Sequence, residues 1–126
     1  MTRKLEFKRG NINKNYQKQE VEITTTHSYV LIRFWYESVW GEDNESSNCL
    51  LKISYDQFHE LTDAIAKGIK CKLNLNYDDY EQSVEINKYD KVVSVNVQSD
   101  ADRGYRFCEI VLNSTNQKKL VKFLKG

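Results

Sequence analysis

Residues 49–65, CLLKISYDQFHELTDAI, join a strand to a helix without an intervening loop. Residues 49–53 are a short, mostly apolar run, which is typical of a buried strand. Ser54 is followed three residues later by Gln57, the spacing of a capping box, in which each side chain bonds the other residue's backbone N–H at a helix start. Apolar residues then recur at helical spacings of three and four, at Phe58, Leu61, Ile65 and Ile69.

Three or four strands are predicted before this helix. Residues 21–26, VEITTT, alternate and are β-branched, and residues 29–36, YVLIRFWY, combine β-branched with aromatic side chains. A shorter strand is predicted around residues 5–7. Residues 41–48 are rich in Gly, Asn, Asp and Ser and are predicted to form an acidic loop. The first half of the chain therefore reads as a ββββα unit.

The second half repeats this plan. Strands are predicted in residues 71–77, 84–86, 93–97 and 106–112, followed by a helix. A shift of 59 residues places Cys108, Ile110, Leu112, Leu120 and Leu124 on Cys49, Leu51, Ile53, Leu61 and Ile65. A second capping box, Ser114 with Gln117, fits better at a shift of 60, which leaves the register uncertain by one residue. The alternative is coincidence, because a strand followed by a capped helix is a common pattern.

We therefore predict an α+β protein with a duplicated ββββα unit, in which two antiparallel sheets are each followed by a helix. The 126 residues suit a single domain, with repeats at approximately residues 5–69 and 71–126.

Composition excludes several protein classes. Hydrophobic residues make up 40% of the chain, enough for a packed core. No run approaches the roughly 18 apolar residues of a membrane span, and the first nine residues lack the apolar region of a secretory signal. The three cysteines are an odd number spread along the chain, which argues against a disulfide framework. We expect a cytoplasmic protein with no membrane association.

The charge distribution points to possible partners. The formal net charge is +1, but residues 1–18 carry six cations against the single acid Glu6. This segment predicts a basic N-terminal arm that contacts phosphates through Lys8 and Arg9. The alternative is a solvated, partly disordered terminus. Residues 37–45, in contrast, are acidic.

Alternation along residues 29–36 separates two faces of a strand. The more apolar set, Val30, Ile32, Phe34 and Tyr36, is assigned to the core. The other set places Tyr29, Arg33 and Trp35 on the open face, and Lys52 and Lys72 on other strands extend it with positive charge. Aromatic rings beside cations suit single-stranded nucleic acid, because bases stack on the rings while cations follow the phosphates. The alternative is that these aromatics serve packing, or that Trp35 fills a subunit interface.

Residues suited to catalysis are sparse, and we expect no enzyme, no metal and no cofactor. His27 and His59 lack the spacing of metal ligands. Cys49 and Cys108 occupy matching strand positions and suit small buried residues better than nucleophiles. The acidic residues that would suit a divalent cation fall where turns favour Asp, at Asp78, Asp79, Asp100 and Asp102.

Residues 30–36 (VLIRFWY), the acidic loop, residues 51–54 (LKIS) and residues 56–61 (DQFHEL) resemble the core of the positive-cofactor-four transcriptional coactivator family. The repeated element order is similar to that of the Whirly and PUR-repeat proteins. This resemblance implies strongly curved antiparallel sheets and binding of single-stranded DNA or RNA, with Arg33, Trp35 and Lys52 on the binding face. The second half has Ser94 and Asn96 in place of Arg33 and Trp35, so we expect the halves to bind differently.

Three functions remain open at this point. The first is a non-catalytic single-stranded nucleic-acid-binding protein, a homodimer or larger, that uses the open sheet face and the basic arm. The second is a small phage or bacterial protein that inhibits a protein partner, such as a nuclease or defence component, through the acidic segment beside Trp40. The third is a structural subunit whose exposed aromatics form an oligomer interface.

Overall fold

A computed structural model describes residues 1–11, 15–102 and 104–126, with the side chains of residues 9–11 excepted. The elements in chain order are β1 (Thr2–Asn11), β2 (Asn15–Thr25), β3 (Val30–Trp40), β4 (Asp43–Ile53), α1 (Tyr55–Lys67), β5 (Cys71–Asn74), β6 (Gln82–Tyr89), β7 (Val92–Ser99), β8 (Arg106–Asn113) and α2 (Ser114–Lys125). Strands β1–β4 form one antiparallel sheet in sequential order, and β5–β8 form a second. The predicted α+β layout, with two antiparallel sheets each followed by a helix, is confirmed.

The basic N-terminal segment is part of the first sheet, so the prediction of a free arm is wrong for the described residues. β1 pairs with β2 along its whole length. Leu5 lies opposite Val21 and Phe7 opposite Gln19. Phe7 and Val21 are buried, and Leu5 packs against the core. Alternation of these apolar residues with lysines and Glu6 gives the segment a core side and a solvent side, as in any half-buried strand.

The predicted acidic loop is also mostly strand. β3 and β4 pair as far as Trp40 opposite Asp43, which leaves only Gly41 and Glu42 between them. Gly41 has a φ of +62°, a left-handed conformation that glycine adopts without steric cost. Residues 43–48 therefore continue the ladder of β3, and their polar composition reflects exposure rather than loop structure. The acidic residues lie at the end of a long hairpin.

The start of α1 is confirmed, whereas the predicted start of α2 is wrong. The Ser54 hydroxyl accepts a hydrogen bond from the Gln57 backbone N–H, and the Gln57 side chain accepts one from the Ser54 backbone N–H. α2 is instead capped by Asn113, whose side chain accepts from the backbone N–H of Asn116. Ser54 and Asn113 correspond at a shift of 59, the shift that also aligns the apolar residues.

The halves match strand by strand, but at three different shifts. Val21, Phe34 and Cys49 are paired across the first sheet, and Val84, Val97 and Cys108 are paired across the second. The second and third strands therefore match at a shift of 63, as in Val21 and Val84. The first strands match at 68, because Leu5 and Leu73 pair with those two valines. The longer strands of the first sheet thus hide part of the repeat from a comparison at one constant shift.

Both halves bury their side chains in one cluster. Val30, Ile32 and Phe34 are at most 1% exposed, as predicted, whereas Tyr36 is only half-buried. The helices pack against each other, and each also touches the other half. The Arg3 guanidinium in β1 donates to the Phe123 carbonyl of α2 over 2.8 Å. The opposite face of each sheet is left to solvent.

Two buried glutamines join the halves in matching positions. The Gln82 amide nitrogen donates to the Lys52 carbonyl over 2.7 Å, and its oxygen accepts from the Lys52 N–H over 2.8 Å. Gln19 makes the same two contacts with the backbone of Val111, over 2.8 and 2.6 Å. These side chains satisfy backbone groups at the edges of β4 and β8 that have no neighbouring strand there.

Candidate nucleic-acid interface

Corresponding rows of residues cross the open faces of the two sheets. In the first sheet the rows are Lys4–Glu22–Arg33–Leu50 and Glu6–Glu20–Trp35–Asn48. In the second sheet they are Lys72–Glu85–Asn96–Glu109 and Asn74–Ser83–Gln98–Phe107. Each first row begins with Lys and Glu, whereas the two second rows differ in their first two residues. Residues in one row have neighbouring side chains, so each row acts as a unit of surface.

Each second row contains one exposed aromatic ring beside one amide. Trp35 is 40% exposed and lies opposite Asn48, and Phe107 is 51% exposed and lies opposite Gln98. We call these the two aromatic–amide pairs. The ring is on the third strand in the first sheet and on the fourth strand in the second sheet.

The expectation that Ser94 and Asn96 occupy the positions of Arg33 and Trp35 in the second half is therefore wrong. The residues that correspond to Arg33 and Trp35 are Asn96 and Gln98. The aromatic ring that seemed to be missing from the second half is Phe107. The two faces are more alike than a comparison of single strands suggests.

Arg33 lies on the predicted face, but its guanidinium is already engaged. Its Nη1 atom donates to the Asn48 side-chain oxygen over 2.8 Å and to an Asp102 carboxylate oxygen over 3.0 Å. Asp102 belongs to the connection between β7 and β8, so this ion pair links the halves. Arg33 thereby orients the Asn48 amide beside Trp35, and its charge is offset by Asp102.

Tyr29 and Lys52 are brought together, as the predicted site requires. The Lys52 ammonium lies 4.4 Å from the centre of the Tyr29 ring. It also lies 5.4 and 5.8 Å from the ring centres of Tyr77 and Tyr80, which belong to the connection between β5 and β6. These are cation–π distances, so the ammonium is held among three rings from both halves.

Three lysines of the first hairpin are paired with acids. The Lys8 ammonium lies 3.5 Å from Glu6, and the ammonium groups of Lys4 and Lys18 each lie within 4 Å of both Glu6 and Glu20. The pKa of Glu6 is below its usual value. Partial desolvation raises this pKa, but the positive charges of Lys18, Lys8 and Lys4 lower it by more. The Arg9 side chain lies outside the described residues.

The seven predicted site residues do not form one cluster. Four of them share the open face of the first sheet: Tyr29, Arg33, Trp35 and Lys52. Lys8 is on the far strand β1 of the same face, and Lys72 is on the open face of the second sheet.

Sequence reasoning placed only Lys72 on the second face and missed the ring and the amide there. A shallow cavity of about 200 Å³ lies there, lined by Lys72, Glu85, Asn96, Gln98 and Phe107 among others. Tyr105 is 60% exposed and donates its hydroxyl to the Gln98 side-chain oxygen over 3.1 Å. The signal was present, because alternation along β8 separates Phe107 from the buried Cys108 in the same way that it separates Trp35 from Phe34.

Two of the three thiols, Cys49 and Cys108, are buried. Burial and the nearby Cys108 raise the pKa of Cys49 to about 12, and burial raises the pKa of Cys108. Each thiol lies within hydrogen-bonding range of a carbonyl on the other strand, at Arg106 for Cys49 and at Ser47 for Cys108. Within the described residues, no three His, Cys, Asp or Glu side chains are grouped to hold a metal ion.

Comparisons with known proteins give no assignment. No protein-family model matches the chain, and no curated protein or solved structure is significantly similar to it. No helix in the described part of the chain is long and apolar enough to cross a membrane.

Proposed function

We propose that the protein is a non-catalytic single-stranded nucleic-acid-binding protein of the PUR/Whirly kind, in which the open sheet faces hold the bases. The observation that carries this proposal is the pair of exposed rings in corresponding rows, Trp35 beside Asn48 and Phe107 beside Gln98. A duplicated sheet with a stacking position on each open face suits a ligand that is itself a repeating chain of planar rings.

The aromatic–amide pair matches the chemistry of an unpaired base. A ring that is about half exposed offers a flat apolar surface, and stacking of a base on such a surface contributes about 1–3 kcal/mol. The neighbouring amide offers an NH2 group that can donate to an acceptor on the edge of a base, while its oxygen already accepts from Arg33 in the first pair and from Tyr105 in the second. A base inside a duplex hides its flat surfaces by stacking on its neighbours, so this arrangement favours single strands.

The charges on the open faces suggest that stacking contributes more than phosphate attraction. Lys4, Lys8 and Lys18 are paired with carboxylates, and Arg33 is paired with Asp102. Lys72 shares its row with Glu85 and Glu109. Because most of these described cations have carboxylates beside them, we expect affinity to fall only gently with salt.

Single-ring variants test the proposal. Trp35→Ala and Phe107→Ala should each weaken binding of a labelled strand of about ten nucleotides by roughly 5- to 100-fold, the loss of one stacking contact. Trp40→Ala is the matched control, because Trp40 is 63% exposed but lies at the hairpin end. Binding is measured at protein concentrations below those at which the chain associates, so that the result does not depend on assembly.

If Trp40→Ala lowers the affinity for the strand as much as Trp35→Ala and Phe107→Ala do, the proposal that bases bind on the open faces is contradicted. If no variant changes binding, the stacking proposal fails. Absence of any binding by the wild-type protein would favour the alternative class, a protein that binds a protein partner.

A further inference from the structure

The end of the β3–β4 hairpin combines an exposed ring with three acidic residues. Trp40 is 63% exposed, and Glu42, Asp43 and Glu45 follow it on the exposed turn and the first residues of β4. Within the described residues none of these three carboxylates forms an ion pair. We call residues 40–45 the hairpin tip. A large exposed ring bordered by charges is typical of a docking anchor.

A groove of complementary character lies between the two helices. It has a volume of about 500 Å³ and is lined by Ala66, Gln117, Lys118, Val121, Lys122, Lys125 and Gly126. Ala66 and Val121 give it an apolar floor, which the lysine stems can extend. Its lining contains three ammonium groups and no carboxylate side chain. We call it the α1–α2 groove.

The tip and the groove are far apart in one chain. α2 touches the first sheet at Arg3, which is aligned through Ile23 of β2 with Ile32 of β3. Eight residues of extended strand separate Ile32 from Trp40, a distance of about 26 Å at about 3.3 Å per residue. The tip projects from the other end of the sheet, so the groove of its own chain is out of its reach.

We propose that the hairpin tip of one copy of this chain docks in the α1–α2 groove of a second copy. The Trp40 ring packs on the apolar floor of the groove. The three carboxylates of the hairpin tip then lie against the three lysines that line the groove. The contact uses two different surfaces, so two copies that each place a tip in the other's groove form a two-fold dimer, whereas an unreciprocated contact builds a ring or an open chain. This inference does not depend on nucleic-acid binding.

Charge reversal provides the test, with sedimentation velocity from about 1 μM to about 1 mM protein and no nucleic acid present. Lys118→Glu with Lys122→Glu makes the groove acidic, so it repels its own acidic tip. Glu42→Lys with Asp43→Lys makes the tip basic, so it repels its own basic groove. Each double variant should associate at least tenfold more weakly than wild type.

An equimolar mixture of the two double variants should assemble again. In the mixture each acidic groove finds a basic tip, and each basic groove finds an acidic tip. Lys88→Glu with Lys91→Glu is the control, because it makes the same change in net charge at exposed residues beside the β6–β7 turn. Trp40→Ala should weaken association as the charge reversals do, whereas Tyr89→Ala, which also removes an exposed ring, should not.

Three results would overturn the proposal. They are a wild-type protein that stays monomeric over the whole range, assembly that both double variants retain, and a mixture of folded variants that does not reassemble. Circular dichroism verifies folding. If reversal disturbs the fold, Lys118→Gln with Lys122→Gln replaces it and should give a smaller loss in the same direction. Strand binding with no assembly would reject this inference and leave the proposed function intact, and the reverse result would do the opposite.

Discussion

Gln82 shows how single residues hold the two halves together. Its side-chain amide is 2% exposed and makes four hydrogen bonds, two with the Lys52 backbone, one with the Leu75 carbonyl and one with the Ser99 hydroxyl. We expect Gln82→Leu to lower the free energy of unfolding by about 2–4 kcal/mol, because it leaves buried backbone groups unsatisfied. Urea denaturation measures this loss.

Gln98→Leu is the control for this prediction, because Gln98 is only partly buried and its loss should cost under about 0.5 kcal/mol. Equal stability of the Gln82→Leu variant and the wild-type protein would contradict the role assigned to Gln82.

Cys49 makes the free energy of unfolding depend on pH in the alkaline range. Its pKa is raised from 9.0 to about 12 in the folded protein, so the fold favours the neutral thiol. The stabilisation is complete below pH 9 and is lost as the pH rises towards 12, because only the unfolded chain readily releases the proton. We expect urea midpoints to fall above pH 9, and to fall less steeply for Cys49→Ala. The same slope in both proteins would show that this thiol does not contribute.

At this scale, alternation alone predicted the burial of Val30, Ile32 and Phe34 in β3, but it also assigned Tyr36 to the core, where that residue is only half-buried. The burial of Phe34 and the exposure of Trp35 follow from a period of two. The partner of Arg33 did not follow, because Asp102 lies 69 residues away and is reached only through the packing of the two halves. Local pattern gives the face of a residue, whereas tertiary contacts decide whether its charge is available.

The helix starts carry the clearest prediction at the scale of elements. Asn113 caps α2 and Ser114 is its first residue. Asn113→Ala should therefore lower the free energy of unfolding by about 1 kcal/mol, the usual value of an N-cap side chain. Ser114→Ala should have little effect, which would confirm the 59-residue correspondence with Ser54. If Ser114→Ala lowers the free energy of unfolding more than Asn113→Ala does, Ser114 is the residue that corresponds to Ser54, at a shift of 60.

Element type was predicted better than element extent. The order of strands and helices could be read from periodicity and capping, because these signals are local. The lengths of β1, β2 and β4 could not, since polar residues such as Asp43 and Asn44 become strand only by pairing with β3. The exact correspondence of the halves was hidden for a related reason, because the β1–β2 and β3–β4 hairpins have longer strands than the β5–β6 and β7–β8 hairpins, which changes the shift within each hairpin.

At the scale of the whole molecule, two sheets present similar open faces on opposite halves of one shared core. The sequence led to the first face through Trp35, but the second face became visible only when β7 and β8 were paired. Its amide, Gln98, and its ring, Phe107, are nine residues apart in the chain but lie opposite each other on β7 and β8. A pair that forms across strands leaves no motif in either strand.

The most direct measurement is the fluorescence anisotropy of a labelled single strand of about 30 nucleotides, compared with its duplex at low and at physiological salt. Our account predicts saturable binding of the single strand, at least tenfold tighter than the duplex and only moderately weakened by salt. Equal affinity for both forms, or no binding of the single strand at low salt, would contradict it.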